Sequence, residues 1–331
     1  MSKTKRNISD EALNEIFSKH SLGKIVKVIP LKGGQFNSVL KITVQSGKNY
    51  VIKIAPSKGT DVLTYEKDLI KSEVYFYEKF SGLKNIHFPE IYGYDYDRES
   101  EYQYLVMEFI EGKTLTDAKL SKEDYDQVMY GLGCAMAEIH NLSCEEGFGY
   151  IQNGLFASWE EAYLNMTENV IKNAERKNAE IPRIDEIRHI LLENRDLLKS
   201  VKKPCPVHFD LWAGNIMLKD KKLYALIDCE RAMFGDRIGD FISLDYLAPF
   251  DKEKNKKLTD GYNSVAKEPV VFDDNELKRF YLMRMYLGLI VFTEQHYRYS
   301  KFSPVFYAGR AFGKKVITNA ISNYRKVGKD V

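Results

Sequence analysis

Residues 206–215 read Pro-Val-His-Phe-Asp-Leu-Trp-Ala-Gly-Asn, and residues 226–230 read Leu-Ile-Asp-Cys-Glu. They place Asp210, then Asn215 five positions later, and then Asp228 at the end of an apolar run. Kinase-type phosphoryl transfer uses an Asp and an Asn at this spacing, followed by a second Asp. The first carboxylate orients the acceptor hydroxyl and takes its proton, while the Asn and the second carboxylate hold magnesium. Asp210 is therefore the candidate catalytic residue, and Asn215 and Asp228 are the candidate Mg²⁺ ligands.

The segment between these two stretches predicts a β-hairpin. Apolar residues occupy 216–218 and 223–227, and a polar turn at 219–222 separates them. A hairpin here would bring Asp228 back beside Asn215 and put two hard oxygen ligands together, as magnesium prefers. Taken singly, each of these polar residues has an ordinary structural role as an alternative. The ordered set favours catalysis.

Composition bounds the class of protein. The chain has 331 residues, with 49 Lys and Arg against 47 Asp and Glu, so no broad surface for nucleic acid is expected. The basic N-terminus has no apolar run behind it, and the apolar stretch 286–292 is too short to cross a bilayer. Four cysteines without C-x-x-C spacing suggest reduced thiols. We expect a cytoplasmic enzyme, monomeric or homodimeric, with no membrane partner.

The hydrophobic pattern predicts an α+β protein with two lobes. A helix is expected over 9–20, strands over 25–31, 38–45 and 49–55, a helix over 62–80, and strands over 90–96 and 102–109. After residue 113 the pattern becomes mainly helical, as in 121–140. The sequence thus predicts an N-terminal antiparallel-sheet lobe over 1–108, a hinge over 109–113 and a helical C-terminal lobe over 114–331.

Three features point to nucleotide binding in the first lobe. Gly33 and Gly34 lie between two predicted strands, where backbone N–H groups can approach phosphates, although an ordinary hairpin turn is the more common explanation of such a pair. Lys53 lies within an apolar strand, where a charge needs a partner unless it faces solvent. Glu73 is the predicted partner of Lys53, and Glu66 is the alternative. No G-x-x-x-x-G-K-[ST] sequence occurs, so a Walker-type loop is not expected.

Several segments resemble the aminoglycoside phosphotransferase and choline kinase-like family, which shares the protein-kinase fold. The resemblance is strongest at His208 to Met217 and at 226–240, and it extends to 105–112 and 132–140. It implies a bilobal kinase-like fold that binds ATP or GTP at a hinge formed by Met107, Glu108 and Phe109.

Residue by residue, the resemblance implies that Asp210 acts as catalytic base, Asn215 and Asp228 bind Mg²⁺, and Lys53 contacts phosphate. It also implies that His208 and Asp240 brace the catalytic loop. Phe209 departs from the Gly that is common after this His, and Cys229 from a frequent aromatic residue. Neither change removes a catalytic group.

The acceptor is expected to be a small molecule with a hydroxyl group, but the sequence leaves its identity open. An aminoglycoside or related amino sugar would need carboxylates, which the second lobe could supply from Glu160, Glu161, Glu168, Glu175 and Asp185. The basic C-terminal segment does not favour a cationic ligand. The Asp-Leu-Trp-x-Gly-Asn form also resembles fructosamine kinases, so a metabolic kinase for a fructosamine, a choline-like alcohol or another sugar is the alternative.

Two further classes of protein are alternatives to a small-molecule kinase. A non-catalytic nucleotide-binding module on a kinase-like fold would be favoured by loss of Asp210, Asn215 or Asp228, and all three are present. A protein kinase would be expected to carry a G-x-G-x-x-G loop and an A-P-E segment, and neither occurs at the corresponding place.

Overall fold

An antiparallel five-stranded sheet with a helix on each face forms the first part of the fold. The computed structural model describes residues 2–31, 34–144 and 146–329. The strand order is β1-β2-β3-β5-β4. The strands are β1 (Ile25–Pro30), β2 (Ser38–Val44), β3 (Asn49–Ile54), β4 (Ile91–Asp95) and β5 (Tyr104–Glu108), and the helices are α1 (Asp10–Lys19) and α2 (Leu69–Phe80).

Successive side chains of β3 point alternately to the two faces of the sheet. Tyr50, Ile52 and Ile54 point to the face covered by α1. Successive strand residues point to opposite faces, so Val51 and Lys53 point to the face covered by α2. The strand therefore directs Lys53 towards the helix that carries Glu73.

The second part of the fold is mainly helical. Its helices are α3 (Lys122–His140), α4 (Trp159–Arg176), α5 (Ile184–Glu193), α6 (Arg195–Lys199), α7 (Lys256–Val265), α8 (Asp274–Arg298) and α9 (Pro304–Tyr324). Five short strands accompany them: β6 (Lys113–Thr114), β7 (Cys205–Val207), β8 (Ile216–Lys219), β9 (Lys222–Leu226) and β10 (Met233–Gly235). Strands β6, β8 and β9 form one sheet, and β7 pairs with β10.

The predicted hairpin is present as β8 and β9. Asp220 and Lys221 connect the strands, with φ angles of 50° and 61°. Positive φ at both residues is the geometry of the tight turn that matches the twist of antiparallel strands. Ile216 pairs with Leu226, so Asn215 and Asp228 flank the same end of the hairpin.

The predicted fold class is confirmed, and one element boundary is corrected. The helix expected over 62–80 is interrupted: a short 3₁₀ turn covers Thr64–Glu66, and α2 begins only at Leu69. Asp68 lies in the left-handed region at φ 57°, which ends one helical segment before the next. The lobe limits at 108 and 114 remain predictions. None of the described helices combines the length and apolar character needed to cross a membrane.

Candidate active site

Lys53 joins two carboxylates from distant parts of the chain. Its Nζ donates to Glu73 Oε1 and to Asp228 Oδ1, each at 2.5 Å. Lys53 and Glu73 are both buried. Glu66, the alternative partner, instead pairs with Arg298 at 2.6 Å. The structure therefore places Glu73, and not Glu66, beside Lys53.

The electrostatics of this cluster keep the lysine charged. Burial by itself lowers the pKa of Lys53, but Asp228 and Glu73 together outweigh it and raise that pKa above its ordinary value. Burial likewise favours the neutral form of Asp228, yet Lys53 overrides it and the pKa of Asp228 is lowered. An ammonium held beside an ionised carboxylate is suited to bind phosphate oxygens next to a carboxylate that binds a cation.

Asp210 and Asn215 face each other across the turn that follows β7. The Asn215 Nδ2 group donates to the Asp210 backbone oxygen at 2.9 Å and to Asp210 Oδ2 at 3.2 Å. Its Oδ1 has no hydrogen-bond partner in the described part of the chain. Burial raises the pKa of Asp210 above its ordinary value, and the Arg231 guanidinium opposes that rise. A half-buried carboxylate with a raised pKa is suited to accept a proton.

Asp240 fixes the backbone of the loop that carries Asp210. Its Oδ2 accepts from the His208 amide at 3.1 Å, and its Oδ1 accepts from the Phe209 amide at 2.6 Å. His140 Nε2 lies 2.9 Å from the same carboxylate. Phe209 has φ 65°, in the region that favours glycine, and its ring is fully buried. This conformation gives a physical reason for the glycine that Phe209 replaces.

A third carboxylate that sequence reasoning missed completes a cluster suited to a cation. Oxygens of Glu73, Asp228 and Glu230 lie within 4.8 Å of one another. Burial, reinforced by the charge of Asp228, raises the pKa of Glu230 to about 8. Hard oxygen donors of this kind fit Mg²⁺. The signal for this carboxylate in the sequence is the Asp-x-Glu spacing of 228–230.

The residues predicted at the nucleotide hinge lie at the end of β5, and none of their contacts identifies a nucleotide. Met107 is buried in the core. The Glu108 carboxylate lies 2.6 Å from His87 Nε2, and Phe109 stacks under Lys41, with 3.7 Å between Lys41 Nζ and the ring centroid. A small apolar cluster that the sequence did not predict lies next to the hinge, formed by Ile110, Met217 and Ala225 with Tyr224 and Ile227 against it.

Residues 3–5, here named the N-terminal arm, pack against the segment that follows the predicted glycine turn. Gly33 lies outside the described residues, and Gly34 lies inside them. The Thr4 hydroxyl donates to the backbone oxygens of Gln35 and Phe36 at 3.1 and 2.9 Å. Lys5 Nζ donates to the Asn37 backbone oxygen. Burial lowers the pKa of Lys5, and Glu230 is the strongest opposing charge. The arm thus brings another cation near the carboxylate cluster, which nothing in the local sequence indicated.

A cavity of about 400 Å³ is lined by Gln35 and by residues of α8 and α9, and it is here named the α8–α9 cavity. Its polar lining is Gln35, Arg231, Tyr246, Glu294 and Gln295. The carboxylates that the sequence suggested for a cationic acceptor do not line it; Glu160, for example, is buried against Arg195, and Glu175 pairs with Arg188 at 3.3 Å. The cavity is therefore built from residues that sequence reasoning did not select.

Comparisons with known proteins identify the family and the fold. The family model described as the phosphotransferase enzyme family matches residues 27–265. A search of curated proteins gave no match.

Among solved structures, the streptomycin–ATP–APH(2")-IIa ternary complex is similar with a TM-score of 0.62 and 17% identity, over 96% of this chain and 99% of that one. A Ralstonia eutropha JMP134 protein, inferred to be an aminoglycoside phosphotransferase, is similar with a TM-score of 0.67 and 15% identity, over 98% of this chain and 100% of that one. A Thermobifida fusca protein, inferred to be a fructosamine-3-kinase, is similar with a TM-score of 0.65 and 18% identity, over 92% of this chain and 99% of that one. At these identities the likeness establishes a kinase-like fold.

Proposed function

Because the chain belongs to the phosphotransferase enzyme family, we propose that it transfers the γ-phosphate of ATP or GTP to a hydroxyl group of a small molecule. One observation carries the proposal: Lys53 from the sheet lies 2.5 Å from Asp228, which follows the hairpin, and Asn215, which precedes the hairpin, bonds to Asp210. Phosphate-binding, metal-binding and proton-accepting groups thus meet in one place, as transfer requires.

Each residue has a role that follows from its surroundings. Lys53, held by Glu73, binds phosphate oxygens of the nucleotide. Asp210 orients the acceptor hydroxyl and takes its proton. The hydroxyl oxygen then bonds to the γ-phosphorus as the bond to the bridging oxygen breaks, and the nucleoside diphosphate leaves.

The donor set fits magnesium. Asp228 would hold the ion together with Asn215 Oδ1, and Glu230 lies close enough to assist. When bound, Mg²⁺ supplies positive charge that neutralises the phosphate oxygens. Asp240 contributes by fixing the loop that carries Asp210, so that little reorganisation accompanies transfer.

The nucleotide base would bind beside the hinge of Met107, Glu108 and Phe109. The apolar cluster of Ile110, Met217 and Ala225 offers a face on which a flat base can pack. The backbone at the end of β5 would supply its hydrogen bonds.

The acceptor would enter through the α8–α9 cavity. An aminoglycoside or related amino sugar and a metabolic sugar, fructosamine or choline-like alcohol are the candidate acceptors that the sequence left open. The similar solved structures include both aminoglycoside phosphotransferases and an inferred fructosamine-3-kinase.

The test is a coupled kinase assay across sugars, aminoglycosides, choline-like alcohols and fructosamines, with Mg²⁺ and either nucleotide. Asp210→Asn should lower kcat by about 10²–10⁴-fold while nucleotide binding persists, because only the proton acceptor is lost. Asp228→Ala should instead weaken binding of the magnesium nucleotide.

Asp220→Asn, in the exposed turn of the hairpin, is the matched control and should behave as the unmodified protein. Full activity in both Asp210→Asn and Asp228→Ala would refute the assignment. Nucleotide binding with no turnover of any acceptor would favour a non-catalytic module.

A further inference from the structure

The residues that line the α8–α9 cavity indicate the chemical class of the molecule that receives the phosphate. This inference rests on the proposed function. The cavity lies close to the loop that carries Asp210. Leu287 lines the cavity, and its neighbour Tyr286 packs on Phe209, the residue before Asp210, with 5.8 Å between ring centroids. Tyr246 also lines the cavity, and Ser243, three positions before it, donates its hydroxyl to the Phe209 backbone oxygen at 3.4 Å. The cavity therefore adjoins the predicted proton acceptor, where an acceptor molecule must bind.

The charges that line the cavity are already balanced. Its charged lining in the described part of the chain is Arg231 and Glu294, and these pair at 3.0 Å. Glu294 also pairs with Arg298 at 2.9 Å, and Arg298 pairs with Glu66 at 2.6 Å. Two cations and two anions are thus bonded to one another, so no carboxylate of this set is left for the ammonium groups of a ligand.

This balance disfavours a polycationic acceptor. An amine that enters the cavity loses its water and finds Glu294, the carboxylate of the described lining, already paired with Arg231 and Arg298. It would also approach the guanidinium of Arg231, which repels it. An amino sugar with several ammonium groups would meet this cost repeatedly.

Arg231 retains donors for an anionic group. Only its Nη2 atom donates to Glu294. The Nε and Nη1 donors have no partner among the described residues, and the side chain borders the cavity. A guanidinium with free N–H groups binds a carboxylate in a planar, charge-assisted geometry.

Part of the cavity lining is apolar. Leu287 and Val291 from α8 and Phe312 from α9 contribute to it. An aliphatic portion of the ligand would bury its surface there, which favours binding by the hydrophobic effect. Gln35 and Gln295 supply amide groups for additional hydroxyls.

We propose that the acceptor is a hydroxylated carboxylate with an aliphatic portion, and that Arg231 binds its carboxylate while its hydroxyl faces Asp210. The hydroxyl oxygen receives the γ-phosphoryl group, its proton passes to Asp210, and the nucleoside diphosphate leaves. Arg231 is then a specificity-determining residue, and a polycationic aminoglycoside is a poor acceptor.

The test compares matched acceptors with and without the charge. The probes are 4-hydroxybutanoate, 5-hydroxypentanoate and gluconate, each beside its uncharged amide, with kanamycin and choline as cationic probes. Binding is measured by thermal shift in the presence of magnesium and a non-hydrolysable nucleotide, and turnover by the coupled assay. We expect the acids to bind and react better than their amides by roughly 10- to 100-fold in kcat/KM, the size of a charge-assisted contact.

Variants separate recognition from folding. Arg231→Gln should raise KM for the acids by a similar factor, while KM for the amides and for the nucleotide stays unchanged. Arg231→Lys keeps the charge beside Glu294 and should fold normally, yet lose most of the preference because the planar fork is gone. Arg188→Gln, on the surface of α5, is the matched control.

The outcomes are distinguishable. Equal use of acids and amides, a preference for kanamycin or choline, or a carboxylate preference that persists in Arg231→Gln would each overturn the carboxylate proposal and leave the kinase intact. Absence of any thermal shift with the acids would also overturn it. Absence of nucleotide binding and of all Asp210-dependent turnover would overturn the proposed function itself.

Discussion

At the residue scale, Lys53 shows how a single buried charge is held in place. It contacts Glu73 on α2 and Asp228 after β9, so its two partners come from elements that are far apart in the sequence. Removing one partner of a buried ion pair leaves the other charge desolvated and uncompensated. Experiments can therefore distinguish the roles of Glu73 and Glu66, the two glutamates that the sequence offered as partners of Lys53.

Glu73→Gln and Glu66→Gln should have different effects. Glu73→Gln frees Lys53 from its anchor, so we expect the nucleotide-dependent kcat/KM to fall by about 10-fold or more. Glu66→Gln breaks the buried pair with Arg298, so we expect mainly a loss of about 3 kcal/mol or more in unfolding free energy. Steady-state kinetics and urea unfolding measure the two effects, and the reverse pattern would refute the assignment of Glu73.

Phe209 combines a buried ring with backbone strain. Its φ of 65° costs a non-glycine residue about 1–2 kcal/mol. Its ring packs near Tyr286, with 5.8 Å between ring centroids. The aromatic packing offsets the strain, which is why a large residue is tolerated at this position.

We expect Phe209→Gly to be more stable than Phe209→Ala by about 1 kcal/mol, because both lose the ring but only glycine relieves the strain. Phe76 in α2 is the matched control: there the alanine variant should be the more stable one by about 1 kcal/mol, since glycine weakens a helix. Urea unfolding of the four variants measures both differences. The same order at both positions would contradict the strain argument.

At the element scale, α8 carries a histidine, His296, whose surroundings disfavour protonation of its imidazole. His296 lies in α8 between Phe292 and Phe306. Burial lowers its pKa to about 4, and the cations Arg310, Lys301 and Lys177 add to the effect. The unfolded chain protonates this residue near pH 6.5, whereas the folded state keeps it neutral until about pH 4.

Stability should therefore fall as the pH drops from 6.5 towards 4, because the unfolded state binds more protons across that window. His296→Gln should remove this part of the pH dependence, of the order of 1 kcal/mol after solvent screening. His189→Gln, at an exposed position on α5, is the control. Urea unfolding at pH 7 and pH 5 measures the difference, and an unchanged pH dependence in His296→Gln would refute it.

At the scale of the whole molecule, chains of buried polar contacts connect the sheet to the helical part. Glu66, before α2, bonds to Arg298 at the end of α8, which also holds Glu294. Lys53 of β3 bonds to Asp228. The N-terminal arm adds a further connection, since the Lys3 amide donates to the Arg298 backbone oxygen at 2.8 Å. The residues proposed to bind the nucleotide thus belong to both parts.

Binding of the magnesium nucleotide should consequently stabilise the whole protein. At a nucleotide concentration 100 times Kd we expect a gain of about 2.7 kcal/mol, because the ligand binds only the folded state. The rise in Tm should require Mg²⁺ and disappear with a chelator. Asp228→Ala should abolish it, and Asp220→Asn should not. An equal rise in the chelator would contradict metal-assisted binding.

The sequence by itself determined the fold class, the hairpin and the local order of Asp210, Asn215 and Asp228. These depend on short-range properties: the alternation of apolar residues, the turn at 219–222 and a spacing of a few positions. The helix predicted over 62–80 was wrong at its start because the left-handed Asp68 leaves no strong local signal.

Only the tertiary structure decided which charges meet. The sequence pattern favoured Glu73 and left Glu66 as the alternative, and packing sends Glu73 to Lys53 and Glu66 to Arg298. The same holds for Glu230, for the N-terminal arm and for the balanced charges of the α8–α9 cavity. The Lys53–Asp228 contact joins residues 175 positions apart. Local preferences fix elements, whereas contacts at such separation depend on how the elements pack, and the chemistry of the site is made of those contacts.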